Sequence, residues 1–146
     1  MKRHLNKSIA GVTLLEIMLV LAIAAMIIVM SVKYYQSASS SQSTNSAMQS
    51  IQSLTAAADG IAQGTGTYTS ANSTNIKNVA GSTALNLPWG ASITINPSAG
   101  SYTVNLPSTP ANVCNSLTFK LKANSHYTNI SACGTGPGAF GYTYIP

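Results

Sequence analysis

The chain has 146 residues, of which charged ones make up only 6%, so the formal net charge of +5 rests on few side chains. Lys2, Arg3 and Lys7 all precede residue 12; beyond it Lys33, Lys77, Lys120 and Lys122 stand against Glu16 and Asp59 alone. That balance is too weak for an electrostatic nucleic-acid footprint. It also leaves little self-repulsion to oppose self-association.

Residues 1–11, MKRHLNKSIAG, are short, basic and polar, and the positive-inside rule keeps such a segment in the cytoplasm. From Val12 to Val32 almost nothing is polar except Glu16. At about 1.5 Å per residue that run reaches roughly 31 Å, enough to cross a hydrocarbon core of about 30 Å. An acid in it costs on the order of 3 kcal/mol at mid-membrane and less near the edge, so Glu16 calls for a partner. An ordinary secretory signal peptide is the competing reading, with Ser37-Ala38-Ser39 as its cleavage site. The run is longer than the apolar region of a typical signal, and such a region has no use for Glu16.

Gly11-Val12-Thr13-Leu14-Leu15-Glu16 followed by a long apolar helix resembles the type IV pilin family and its relatives, the pseudopilins. The resemblance implies that a prepilin peptidase cuts after Gly11 on the cytoplasmic side and methylates the new amine of Val12. It makes Glu16 the signature acid that pairs with the Val12 amine of a neighbouring subunit in a filament. The residues suit these roles. Glycine offers no side chain to obstruct a peptidase, and a buried charge pair, though poor evidence of stability, can set register. As an alternative or in addition, Glu16 complements the dipole of its own helix.

The helix is expected to continue from Lys33 to about Gln63. Ala38, Met48, Ile51, Leu54, Ala58, Ile61 and Ala62 fall mostly three and four apart and form a thin apolar stripe. Ser39-Ser40-Ser41 lowers the local propensity, and Gly64-Thr65-Gly66 stops the helix. The membrane half, 12–33, contains no proline. Many members of the type IVa branch carry one there, so its absence favours the type IVb branch and a less kinked helix.

Residues 64 to about 90 read as a polar loop with a short helical turn near Asn75–Ala80. Leu85-Asn86-Leu87-Pro88-Trp89-Gly90 closes the loop, with Trp89 expected to be mostly buried. Ala91–Asn96 and Ser101–Pro107 alternate in polarity around the turn Pro97–Gly100 and predict a β-hairpin. Its inner faces would be Ile93/Ile95 and Tyr102/Val104/Leu106. Pro110 then leads into Val113, Leu117 and Leu121, spaced by four, which predicts a helix of about ten residues carrying Cys114. His126–Ser131 and Phe140–Ile145 are candidate strands, Tyr142 and Tyr144 sharing one face. The order LPWG, hairpin, Pro-x-x-x-Cys-x-x-Leu and a late cysteine resembles the type IVb pilins of thin, conjugation-associated pili.

Cys114 and Cys133 lack Cys-x-x-Cys spacing and read best as one disulfide formed in an oxidising compartment, the alternative being two reduced, buried thiols. His4 and His126 have no ligand-like neighbours, so neither a metal nor a cofactor is implied. No Ser/His/Asp set, carboxylate pair or phosphate loop is present, and an enzyme is not expected.

These readings converge on an α+β fold in which one long N-terminal helix, its first half protruding, lies against a small antiparallel sheet. Its parts are a leader (1–11), a membrane-spanning and filament-core half-helix (12–33), the second half of the helix (34–63) and a globular head (64–146). The resemblance implies the major pilin of a type IVb pilus. Its partners would be itself, the prepilin peptidase, the inner-membrane assembly machinery and, before assembly, the bilayer, with no nucleic acid. The precursor would sit in the inner membrane and the product in an extracellular filament serving conjugation, adhesion or aggregation. The alternatives are a minor pilin, a pseudopilin of a secretion system, or a secreted binding module. The clustered acids of a pseudopilin calcium loop are missing here.

Overall fold

A computed structural model describes residues 13–146. Gly11 and Val12, the proposed processing residues, lie outside the described residues. The chain divides into two compact units, Met1–Ala38 and Ser39–Pro146.

Helix α1 spans Leu14–Thr65 without interruption. Its start is capped by Thr13, whose Oγ1 accepts from the Glu16 N–H at 3.3 Å and whose carbonyl accepts from Ile17 N–H at 3.2 Å. Its end is set where predicted: Gly66 takes φ +77°, which glycine adopts without steric penalty, and its N–H returns to the Ala62 carbonyl at 2.7 Å. Within the first unit, none of the α1 residues is buried.

Within Ser39–Pro146, α1 buries Thr44, Ala47, Ile51, Leu54, Ala57 and Ala58 at helical spacing. This inner face is made largely of small side chains and joins the same core as the sheet. Ala38, predicted to belong to the stripe, is exposed, and Met48, Ile61 and Ala62 lie at its half-buried margin.

After α1 come a 3-10 turn at Tyr68–Ser70 and helix α2, Ser73–Ala80, longer than the predicted turn. Asn72 caps α2 by accepting from the Asn75 N–H at 2.9 Å. The sheet consists of β1 (Thr94–Pro97), β2 (Tyr102–Thr109), β3 (Tyr127–Thr128) and β4 (Gly138–Tyr144). Its order is β1-β2-β4-β3 and every pairing is antiparallel. The hairpin faces are as the alternation requires: Ile93, Ile95, Tyr102, Val104 and Leu106 are all buried. Phe140, Tyr142 and Tyr144 line the inner face of β4. Between β2 and β4 the chain makes helix α3, Ala111–Lys122, which buries Val113, Cys114, Leu117 and Leu121.

Two expectations need correction. The predicted strand His126–Ser131 shrinks to two residues because Asn129 takes φ +50°, which interrupts the ladder; Ser131 N–H then rejoins the Gly141 carbonyl at 2.8 Å. Trp89 is half-buried at the rim of the core, because its indole N–H donates to the Pro107 carbonyl at 2.9 Å and holds the ring at the surface. The core is therefore made by aliphatic residues, tyrosines and Phe140, together with the small-residue face of α1.

Candidate functional site

Three constellations carry the chemistry of this chain. The first is the start of α1. Glu16 lies in its first turn, on the same exposed stretch as Leu14 and Leu15. A carboxylate there is complemented by the unpaired N–H groups and positive end of the helix dipole. From Leu14 through Val32 the large apolar side chains are exposed. A helix in the core of a soluble domain would bury such residues. This one fits a membrane anchor or a signal sequence in length and composition. Ser31, a polar interruption of the run, donates its hydroxyl to the Ile27 carbonyl at 2.8 Å and so satisfies itself within the helix. The Val12 amine, the expected partner of Glu16, is beyond the described residues.

The second is the staple. Cys114 on α3 and Cys133 form a disulfide with Cα atoms 5.8 Å apart. Cys133 belongs to the non-ladder stretch between β3 and β4, and the bridge ties that stretch to the buried face of α3. The Thr118 hydroxyl lies 3.4 Å from Cys133 Sγ and 2.9 Å from the Cys114 carbonyl. The paired-cysteine reading thus holds over reduced thiols.

The third was not anticipated. Asp59, the one side-chain carboxylate of the second unit, accepts hydrogen bonds from the Tyr68 hydroxyl at 2.7 Å and the Tyr144 hydroxyl at 3.4 Å. Tyr68, Tyr102 and Tyr144 pack ring against ring, with centroids 5.0 to 6.4 Å apart. Tyr102 donates to Thr55 at 3.2 Å. The clasp joins α1, the 3-10 turn and the last strand through one acid. Burial, and then the hydrogen bond and charge of Asp59, push the Tyr68 phenol well above its usual value. Burial also raises Tyr102, Tyr142 and Tyr144. A clue existed in the sequence, a lone acid in an otherwise uncharged amphipathic segment, but its partners are 9 and 85 residues away.

Neither a scan against protein-family models nor searches of curated proteins and solved structures return a match. Among the described residues no group of three or more His, Cys, Asp and Glu side chains converges to hold a metal. His126, exposed, stacks on Tyr144 at 5.8 Å and places Nδ1 2.9 Å from the Ile145 carbonyl, a packing arrangement at the sheet edge.

Proposed function

We propose that this chain is the major structural subunit of a type IVb pilus, cut by a prepilin peptidase after Gly11 and assembled from the inner membrane into a surface filament. The observation that carries the reading is an order of features. A basic leader ends in Gly11, Glu16 follows in the first helical turn, an exposed apolar helix comes next, and the same helix then backs a stapled α+β unit. A pilin needs each part. The exposed apolar stretch is stored in lipid before assembly and packed against other copies afterwards. Glu16 is costly without a partner and so selects the axial position at which a neighbour's Val12 amine arrives. The disulfide suits an outer domain that works in an oxidising space. The role is structural, with no catalysis by the chain itself.

Mass spectrometry of the mature protein tests the proposal. A chain beginning at Val12, carrying one methyl on its amine and an intact disulfide, is expected. A mature start near Ser39 would replace the pilin reading with that of a secreted module.

A further inference from the structure

Directly after the apolar run stand Lys33, Tyr34 and Tyr35. All three are exposed, Tyr34 at 79% and Tyr35 at 74%. The two rings, with Met30, Ser31 and Ala38, border a shallow groove of about 530 Å³ on the helix surface. From Gln36 onward the chain turns to serine and glutamine. Lys33–Tyr35 therefore marks a boundary between a mainly apolar stretch of the helix and a polar stretch that carries no charge before Asp59.

The distances fit a bilayer. Leu14 to Val32 covers roughly 28 Å of helix, close to the thickness of a hydrocarbon core. If Glu16 is near one face of the membrane, Tyr34 is roughly 27 Å further along, at the other. Tyrosine has an apolar ring and a polar tip and favours that level; lysine extends its stem through the apolar layer and puts its ammonium among the phosphates. In the sequence, Lys2, Arg3 and Lys7 precede the opposite end of the apolar run.

We propose that Lys33, Tyr34 and Tyr35 form an interfacial anchor, with the ammonium on lipid phosphates and the phenols at the headgroup–glycerol level. The anchor seats the outer end of the helix and thereby fixes the depth of Glu16 at the inner end. This rests on the membrane reading above and adds a depth gauge to it. The charge step and the span length favour lipid as the occupant of this surface over a second copy of the chain. The free energy of Glu16 depends steeply on depth, so a helix free to slide would present its carboxylate at varying levels. A seated helix presents it at one level in every subunit.

The test uses the full-length chain in vesicles of phosphatidylcholine and phosphatidylglycerol. The native cysteines are bridged, so Ser37→Cys supplies the one thiol for a nitroxide. Relative quenching by oxygen and by an aqueous nickel chelate reports its depth. In the parent the label should lie at headgroup level. The triple variant Lys33→Leu/Tyr34→Leu/Tyr35→Leu extends the apolar run by three residues and should draw the label inward by about 4 Å. Tyr34→Trp/Tyr35→Trp, which keeps the interfacial chemistry, should leave the depth unchanged. Leucine is a good helix former and the positions are exposed, so folding should survive, as Trp89 fluorescence would show. Unchanged depth in the triple variant would overturn the anchor. So would label–label broadening that the variant abolishes without any depth change, which would assign the surface to a second copy. Failure of the parent to enter vesicles at all would instead remove the membrane reading, and the anchor with it.

Discussion

Tyr142 offers the sharpest test of how the core is built. It is fully buried on the inner face of β4, opposite Val104 of β2 and edge-on to Tyr127 at 5.3 Å. Its hydroxyl has no hydrogen-bond partner among the described residues. A buried, unsatisfied polar group costs about 1–3 kcal/mol. Tyr142→Phe removes that oxygen and keeps the ring. The vacated space is small, about 10–15 Å³, and at roughly 24 cal/mol per Å³ returns only about 0.3 kcal/mol of penalty. The variant should therefore be more stable by about 1 kcal/mol, or about 5 °C in midpoint for a domain of this size. Tyr102→Phe is the matched control. That ring is equally buried, but its hydroxyl donates to Thr55, so the same chemical change should cost about 1 kcal/mol. Detergent-solubilised full-length protein, unfolded by heat and by urea and followed by the fluorescence of the single tryptophan Trp89, reads both. Equal losses in the two variants would refute the reasoning, because they would mean that the Tyr142 hydroxyl is bonded after all.

Four further outcomes are expected, two from the structure and two from the pilin proposal. Tyr68, Tyr102, Tyr142 and Tyr144 hold their protons above the usual phenol value, so the native state keeps protons that the unfolded chain releases. Stability should be fully present below about pH 10 and fall as pH rises beyond it, with the share of the 295 nm tyrosinate absorbance that belongs to these four rings appearing in step with unfolding. Cys114→Ser opens a bridge of sequence separation 19, which in the chain-entropy model is worth about 3 kcal/mol, and urea midpoints should drop accordingly; free thiols in the unreduced parent would contradict the bridge. Glu16→Ala should leave insertion and cleavage intact while abolishing filaments when expressed alone; filament yield equal to the parent by electron microscopy would reduce Glu16 to a helix-start acid. Gly11→Val should accumulate as uncleaved precursor on immunoblots, and normal-length mature protein from it would defeat the pilin proposal.

Elements governed by short-range pattern were readable in advance. Ile93 and Ile95, and Tyr102, Val104 and Leu106, face inward as period-two alternation demands. Val113, Leu117 and Leu121 sit on the buried side of α3 as their spacing implies. The cysteine pair followed from number and context. Features set by tertiary partners were not readable. The helix face that meets the sheet uses Thr44, Ala47 and Ala57, small residues that carry little hydropathy signal. Trp89 stays at the rim because of one carbonyl on β2, and Asn129 shortens a strand through its backbone angle alone. The Asp59 clasp depends on tyrosines at both ends of the folded unit, and no local pattern links them. At the candidate site, the long apolar helix was legible because its signal is linear along the chain, while the roles of Gly11 and Glu16 belong to the proposal.

The engagement of Asp59 by phenols bears on the surroundings this unit tolerates. With its one side-chain carboxylate bonded to Tyr68 and Tyr144, Ser39–Pro146 can owe little of its stability to attraction between opposite charges. Mobile ions weaken such attractions and leave phenol–carboxylate hydrogen bonds, apolar burial and a covalent bridge largely untouched. The unit is thus built from forces that dilute and concentrated electrolytes treat alike. For the surface filament proposed above, where ionic strength would not be under cellular control, that choice of bonding would give constancy of shape.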